Sequence, residues 1–429
     1  MTTLLERSKG SVLDIIATRD PIAMDPVRAE TLTLLSPHTQ RIGALNFIDS
    51  YWSDIQGFSD VTSGPLPILQ TLKIDILYER RWPMMTPPSL LLFTGAVNLK
   101  EFCLRSGGLP FLDHFIFPNL TTLDLSVIPG EGFPVSQLLN FLEASPTLRM
   151  VHLALGALLE DVPPGRVVAL PNAGEFKLFM SKIEPSCEVA AHITCPSARL
   201  ASLSYRQGPQ ELTYPNIFPT SVAWNAIAGQ YTASPVEEVL LTIGAVENSI
   251  IACFLTFLSP GPAVLRLGFK GSKRDDIYMA LGDRHVGIFS RASMTIRTHP
   301  LLPNIKRLRI RDRDATVNSN EPTRIAGDIK QLFKSVGPLD TLSLDVFDLR
   351  PYLAHPDGFP PIKGLTLAQP SQAPAKEECM AAVVELAKSQ HARGVPFKRV
   401  TIYMKDHPPG MAEQLRQWVD KIHFCAVGT

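Results

Sequence analysis

An apolar pattern recurs along the chain: two apolar residues three positions apart, with a third two positions later, as in FPNLTTLDL at residues 117–125. Alternating apolar residues are typical of a strand with one buried face. The bare pattern is common by chance, so the residues around it carry the argument. Thirteen candidate units, spaced by about thirty residues on average, have as their first apolar residues Ile42, Leu69, Leu99, Leu120, Leu148, Ala173, Leu200, Val236, Val264, Ile305, Leu339, Ile362 and Phe397.

Proline precedes most of these units at a fixed place. It stands one or two residues before the first apolar residue in ten of the thirteen units, at Pro67, Pro118, Pro146, Pro171, Pro235, Pro262, Pro303, Pro338, Pro361 and Pro396. Proline donates no backbone hydrogen bond and moves the preceding residue out of the helical region. Each proline is therefore predicted to mark a corner where a helix ends and a strand begins.

A second periodicity lies upstream of three units. Apolar residues occur ten, seven and six positions before the first apolar strand residue, as Leu138, Phe141 and Leu142, as Phe254, Phe257 and Leu258, and as Ile329, Leu332 and Phe333. This spacing places three side chains on one face of a helix. The predicted unit is thus an amphipathic helix, a proline corner and a short strand, and it buries its apolar sides by stacking on its neighbours.

The predicted fold class is α/β, a leucine-rich-repeat solenoid with a curved parallel sheet on its concave side, helices on its convex side and irregular repeats. Residues 1–41 are expected to form an N-terminal cap and first helix, residues 42–403 the solenoid, and residues 404–429 a capping helix and tail. Helices are predicted at about 377–393 and 411–422. The position where many such repeats carry asparagine is Val127 in one unit, so no asparagine ladder is predicted.

Several segments together resemble one family. They are LLERSKGSVLDI (4–15), VRAETLTLLSPHTQRIGALNF (27–47), PILQTLKI, FPNLTTLDL, SPTLRMVHL, LPNIKRLRI and GPLDTLSL, and they are similar to the leucine-rich portion of the F-box proteins of mushroom-forming fungi. The resemblance implies a substrate-recognition arm for a cullin-type ubiquitin ligase. In that family an F-box lies just before a segment like residues 4–15, whereas only Met1, Thr2 and Thr3 precede it in this sequence. Binding of the ligase adaptor is therefore expected only if an F-box is supplied elsewhere.

Composition narrows the class of partner. Of the 429 residues 45% are hydrophobic, and 41 basic residues balance 41 acidic ones, so no global charge favours nucleic acid or a membrane. No apolar stretch is long enough for a signal peptide or a bilayer span. Six cysteines without a CxxC pair are typical of free thiols. We therefore expect a protein partner, no nucleic acid or membrane, and a cytoplasmic or nuclear location.

One charged group stands out among residues expected to face the concave side. That side is otherwise predicted to be mostly neutral, with Thr, Ser and Ala. Five basic residues are expected on adjacent strands of the Val264 and Ile305 units, namely Arg266, Lys270, Arg307, Arg309 and Arg311. They predict a site for an acidic or phosphorylated protein segment, because the arginine fork fits carboxylate and phosphate. The alternative is an ordinary solvated face, neutralised by Glu238, Asp275, Asp276, Asp312 and Asp314.

Signals for catalysis or cofactors are weak. The segment GFKGSK (268–273) is too short for the spacing of a phosphate-binding loop. Cys187, His192 and Cys195 lack an evident fourth zinc ligand. We therefore expect no enzyme, no metal and no cofactor. The leading hypothesis is a substrate-recognition arm; the alternatives are a free-standing leucine-rich scaffold unrelated to ubiquitin and an enzyme with its site in the concave groove.

Overall fold

The computed structural model describes residues 2–18, 34–51, 54–55, 57–58, 66–76, 93, 96–106, 116–127, 133–155, 158–159, 165–180, 189–206, 237–246, 250–258, 264–272, 305–312, 330–346, 349–368, 376–403 and 410–425. Within these residues the protein is a mixed α/β structure with a large, mainly parallel sheet and few helices. The chain divides into two compact units, residues 1–203 with 221–230 and residues 204–220 with 231–429.

The first unit is a run of short strands laid side by side. Its elements are α1 (Thr2–Arg7), β1 (Leu13–Thr18), a 3-10 turn (Ser36–Arg41), β2 (Ile42–Ser50), β3 (Thr71–Ile76), β4 (Glu101–Ser106), β5 (Thr122–Val127), β6 (Phe133–Pro134), α2 (Val135–Glu143), β7 (Met150–Leu155), β8 (Leu158–Leu159), β9 (Val168–Ala169), β10 (Glu175–Met180), β11 (Ile193–Thr194) and the beginning of β12 (Leu200–Arg206). The main sheet follows chain order, β1-β2-β3-β4-β5-β7-β10-β12, and the neighbours from β1 to β10 are parallel.

Each strand of this unit has one buried face and one open face. In β5, Leu123 and Leu125 are fully buried, whereas Thr122 and Asp124 between them are half-exposed. Successive side chains of a strand point to opposite faces, which explains the alternation. An aromatic cluster of Phe102, Phe117 and Phe141 fills the core behind the strands, with ring centroids 5.7–6.4 Å apart.

A four-residue turn leads into most of these strands. In six turns the backbone N–H of the fourth residue donates to the carbonyl of the first at 3.0–3.3 Å: Leu66–Leu69, Ala96–Leu99, Phe117–Leu120, Ser145–Leu148, Leu170–Ala173 and Cys195–Ala198. Proline is the second residue in five of the six turns. Its fixed φ matches the backbone conformation of that turn position. The prolines before these strands therefore shape turns. Only at Pro146, after α2, does a described helix end just before such a turn.

The last of these turns corrects one predicted register. Leu200 was predicted to be the first apolar residue of its unit, but Ala198 occupies that place, and Ala201 and Leu203 are the buried strand residues. Leu200 is only half-buried. The prediction was wrong by two residues because a small alanine is a weak apolar signal in the pattern.

A ladder of side-chain hydrogen bonds links five successive turns. The amide of Asn98 donates to the carbonyl of Pro67 at 2.7 Å and that of Asn119 to Val97 at 2.9 Å. The hydroxyl of Thr147 and the amide of Asn172 continue the series, donating to Pro118 and Pro146 at 3.0 Å each. This ladder lies in the turns before the strands, whereas the asparagine position considered in the sequence, Val127 in the Leu120 unit, lies after the third apolar residue.

The second unit is parallel over most of its width. Its elements are β13 (Glu238–Val246), β14 (Ile250–Leu258), β15 (Val264–Ser272), β16 (Arg307–Asp312), helical residues 330–335, β17 (Leu339–Val346), α3 (Arg350–Leu353), a 3-10 turn (Pro356–Gly358), β18 (Ile362–Ala368), α4 (Lys376–Ala392), β19 (Arg399–Tyr403), α5 (Met411–Arg416) and β20 (Ile422–Cys425). Its strand order is β15-β14-β13-β16-β17-β18-β19-β20. The strands from β13 through β16 to β20 are parallel neighbours.

Strands β13, β14 and β15 form an antiparallel meander. Phe254, Phe257 and Leu258 were predicted to lie on a helix, but they belong to β14. The run Ile250–Leu258 is apolar at nearly every position, so a helical spacing can be read from it by coincidence. Its β-branched and aromatic residues favour a strand.

The other predicted helices are confirmed in part. Leu138, Phe141 and Leu142 lie on α2, and Leu332 and Phe333 lie in helical residues 330–335, all of them buried. The helix predicted at about 377–393 is α4. The helix predicted at 411–422 ends at Arg416, and a final strand, β20, follows it.

The sheets extend past the predicted domain boundaries. Strand β1 lies within residues 1–41 and pairs with β2, and β20 lies within residues 404–429 and pairs with β19. Among the described residues, no helix combines the length and the apolar character that crossing a bilayer requires.

Candidate functional site

Strand β16 carries three arginines at alternate positions. Arg307, Arg309 and Arg311 project from the open face, while Leu308 and Ile310 between them are buried. The side chains of these arginines are exposed by 55%, 47% and 43%. We call β16 with these three residues the arginine strand.

Two carboxylates from the flanking strands contact the arginine strand. Glu238 on β13 lies opposite Arg307 in the register, and its oxygens lie 3.6 Å from Arg307 Nη1 and 3.3 Å from Arg309 Nη1. Asp345 on β17 accepts a hydrogen bond from Arg311 Nε at 3.1 Å. Both carboxylates are well covered, with 13% and 19% of their side chains exposed. They connect the guanidinium groups to the two neighbouring strands.

The charge of this group does not balance. Three guanidinium groups face two carboxylates, and Glu238 is shared between Arg307 and Arg309. Each guanidinium has five N–H donors, so one contact leaves most of them available to a further acceptor. The predicted contact of Glu238 with these arginines is confirmed, and among the described side chains it neutralises them in part. The side chains of Asp275, Asp276, Asp312 and Asp314, also predicted to neutralise the group, lie outside those described. A carboxylate or phosphate fits what remains.

Hydroxyl side chains continue the open face beside the arginine strand. Arg309 is in register with Ser343 on β17, which is in register with Thr366 on β18 and then Thr401 on β19. All three hydroxyl residues are half-exposed. They would supply neutral hydrogen-bond donors and acceptors across a strip one residue wide.

The structure separates the five predicted basic residues. Arg266 and Lys270 lie on β15, in register with Thr256 and Ala252 of β14. Strands β14 and β13 intervene between β15 and the arginine strand. At a strand spacing of about 4.8 Å, the backbones of β15 and β16 are about 14 Å apart. The predicted adjacency is therefore wrong, and only the three arginines of β16 form one group.

The open face of the first unit also differs from the prediction. It was predicted to be mostly neutral, yet it carries a row of ion pairs. Lys73 contacts Glu101 at 2.7 Å, and Arg105 contacts Asp124 at 3.5 Å. On the next strands, Glu175 contacts His152 at 2.9 Å and also Lys177. The partners lie diagonally across neighbouring strands, or two residues apart on β10 in the pair of Glu175 and Lys177, so their charges offset each other locally.

Two groups on that face have shifted pKa values. The hydrogen bond from Lys177, assisted by His152, lowers the pKa of Glu175. Burial, followed by the nearby charge of Asp124, raises the pKa of Cys103 to about 11. A thiol with a raised pKa is a poor nucleophile at neutral pH. The row formed by Cys103, Asp124 and His152 on successive strands therefore lacks the activation that a cysteine nucleophile needs.

The sequence signals for a metal or a phosphate loop gain no support. His192 Nδ1 hydrogen-bonds to the carbonyl of Arg166 at 2.6 Å, burial raises the pKa of Cys195 to about 12, and Cys187 lies outside the described residues. The described part of the chain holds no group of three side chains suited to a metal ion. Residues 268–272 of GFKGSK belong to strand β15.

Sequence reasoning missed Asp345 and Arg399 as residues of the open face. Asp345 lies between the buried Leu344 and Val346, and Arg399 directly precedes the buried Val400 at the start of its strand. Applying the rule that selected the arginines to the Leu339 and Phe397 units would have identified them.

Comparison with known proteins adds no identification. No family model, no curated protein and no solved structure matches this chain.

Proposed function

We propose that this protein is a non-catalytic interaction module, a leucine-rich-repeat solenoid that binds an acidic or phosphorylated segment of a partner protein on the arginine strand. The observation that carries the proposal is the exposed, incompletely neutralised set of Arg307, Arg309 and Arg311. Arginine side chains held by half-buried carboxylates are pre-organised for planar anionic groups.

The repeated strand supports the solenoid part of the proposal. In the first unit, the turn, the buried residue that ends it and the alternating strand recur with the same hydrogen bonds. In the second unit, Leu342 and Leu344 lie in register with Leu365 and Leu367 in the same buried row. Repeats that bury one face against their neighbours leave the other face free for binding.

The ubiquitin-related part of the proposal comes from the family resemblance. The protein would act as the substrate-recognition arm of an F-box/leucine-rich-repeat receptor. A free-standing scaffold unrelated to ubiquitin would use the same surface. Co-purification with the ligase adaptor separates the two.

A variant with uncharged side chains at three positions tests the arginine strand. Changing Arg307, Arg309 and Glu238 together to Gln removes both guanidinium groups along with the carboxylate they share, so no buried charge is left unpaired. Charge-assisted hydrogen bonds are worth about 1.5–3 kcal/mol each, so partner recovery should fall at least about tenfold. The measurement is affinity purification of the full chain with quantitative mass spectrometry.

The matched control removes the same charges from the first unit. Arg149, Arg199 and Glu143 are exposed, and changing all three to Gln gives the same net charge change. This control should recover partners at the wild-type level, and both variants should melt within a few degrees of the wild type. Equal recovery by all three proteins would rule out the arginine strand as the binding surface.

A further inference from the structure

A cleft opens in the second unit beside the arginine strand, and its lining includes Asp340 of the neighbouring strand β17. It has a volume of about 510 Å³ and lies where β18, β19 and β20 begin. Four basic residues and two acidic residues line it, namely Lys363, Lys398, Arg399, Lys421, Asp340 and Asp420. All of them belong to the second unit.

Gly364 forms the floor of this cleft. It is in register with Thr341 on one side and Arg399 on the other. A Cβ at this position would lie 3.2 Å from the backbone oxygen of Asp340, which is tighter than an ordinary contact. Glycine therefore keeps the space beside Arg399 open.

The cleft has an excess of positive charge. Lys363 Nζ contacts Asp340 at 2.7 Å, and this hydrogen bond lowers the pKa of Asp340, so these two charges offset each other. Among the described residues, Lys398, Arg399 and Lys421 take part in no salt bridge within 4.0 Å. Of the described residues that line the cleft, Asp420 is the one acidic residue left to oppose these three cations. The local charge is therefore two units positive.

We propose that this cleft binds the phosphate group of a phosphorylated side chain on a partner protein. A phosphate monoester carries nearly two negative charges at neutral pH, which matches the local excess, whereas a carboxylate carries one. The guanidinium of Arg399 suits two phosphate oxygens, and Lys398 and Lys421 add compact positive charges. Arg399 lies three strands from Arg307 in the same register row, and the proposal does not depend on binding at the arginine strand.

The test is direct binding of a short labelled peptide to the full chain. The probe is a Gly-rich peptide with one phosphoserine, and its binding is measured by fluorescence polarisation. The same peptide with serine in place of phosphoserine is the comparison. The phosphopeptide should bind at least about tenfold more tightly. Changing Arg399 and Lys421 to Gln should remove that preference, whereas changing the exposed Arg149 and Arg199 to Gln should leave it intact.

A second variant guards against misfolding as the cause. Gly364→Ala keeps every charge but narrows the cleft next to Arg399. It should therefore weaken binding of the phosphopeptide, whereas inorganic phosphate, which is smaller, should still bind and compete with the peptide. Equal binding of the serine and phosphoserine peptides would overturn the proposal. So would binding to phosphatidic acid vesicles without binding to the phosphopeptide, because the ligand would then be a membrane.

The two proposals fail separately. Loss of phosphopeptide binding in the variant with Gln at 307, 309 and 238, but not in the variant with Gln at 399 and 421, would assign the phosphate to the arginine strand and overturn the cleft site. Phosphopeptide binding that depends only on Arg399 and Lys421 would support the cleft, whatever happens at the arginine strand.

Discussion

Glu238 determines how much positive charge the arginine strand offers. It is the most covered of the charged residues there, with 13% of its side chain exposed, and it contacts Arg307 and Arg309. A carboxylate in that position restricts two long side chains without cancelling both charges. Part of the conformational entropy of the two arginine side chains is therefore lost before a partner binds, so binding loses less of it.

Cys103 provides a residue-scale test of the open face of the first unit. Burial and the charge of Asp124 raise the pKa of its thiol to about 11. Asp124→Asn removes the negative charge and leaves Arg105 beside the sulfur, so the pKa should fall and the thiolate fraction at pH 8 should rise. Alkylation of Cys103 by iodoacetamide, followed by mass spectrometry, should then become several times faster.

Cys195 serves as the internal control in the same sample. Its pKa is raised to about 12 by burial alone. Its alkylation rate should therefore be the same in the wild type and in Asp124→Asn. An unchanged rate at Cys103 would mean that Asp124 does not contact the thiol.

At the scale of elements, the turn before each strand is the feature that repeats most faithfully. Its backbone hydrogen bond recurs in six turns, and side-chain bonds connect five of them. A turn that is hydrogen-bonded to the preceding turn fixes where the next strand begins relative to its neighbour. This fixes the register, on which the buried row of leucines depends.

Asn119→Ala tests the ladder. It removes the hydrogen bond from the Asn119 amide to the Val97 carbonyl. Because the bond is exposed, the free energy of unfolding should fall by about 0.5–1 kcal/mol. Urea unfolding measures this difference, with Ser126→Ala, a half-exposed site in the next strand, as the control. Equal unfolding free energies for the two variants would contradict a structural role for the ladder.

The sequence predicts the positions of the strands well, but predicts less well which strands lie next to each other in the sheet. Alternating leucines such as Leu123 and Leu125 identify a strand wherever one face is buried. The placement of β15 does not follow from that pattern. Only three residues, 247–249, connect β13 to β14, and so short a connection can join only antiparallel strands. The resulting meander carries Arg266 and Lys270 away from Arg309, although the sequence places their units next to each other.

At the scale of the whole molecule, the two units present open faces of different charge. In the first unit, pairs such as Lys73 with Glu101 and Arg105 with Asp124 offset each other across the strands. In the second unit, cations exceed carboxylates on the arginine strand. An acidic partner should therefore distinguish the units and bind the second.

Site-specific photo-cross-linking tests whether the partner binds the open face of the second unit. Ser343 lies on the open face, in register with Arg309 and Thr366. Glu385 is exposed on helix α4 of the same unit. A photoreactive amino acid placed at each position in turn reports which surface the partner touches.

We expect the reactive group at position 343 to cross-link the protein that co-purifies with the wild type, and the group at position 385 not to do so. Changing Arg307, Arg309 and Glu238 to Gln should abolish the cross-link from position 343. Cross-linking of the same protein from position 385, with none from position 343, would contradict the proposal that the open sheet face binds the partner.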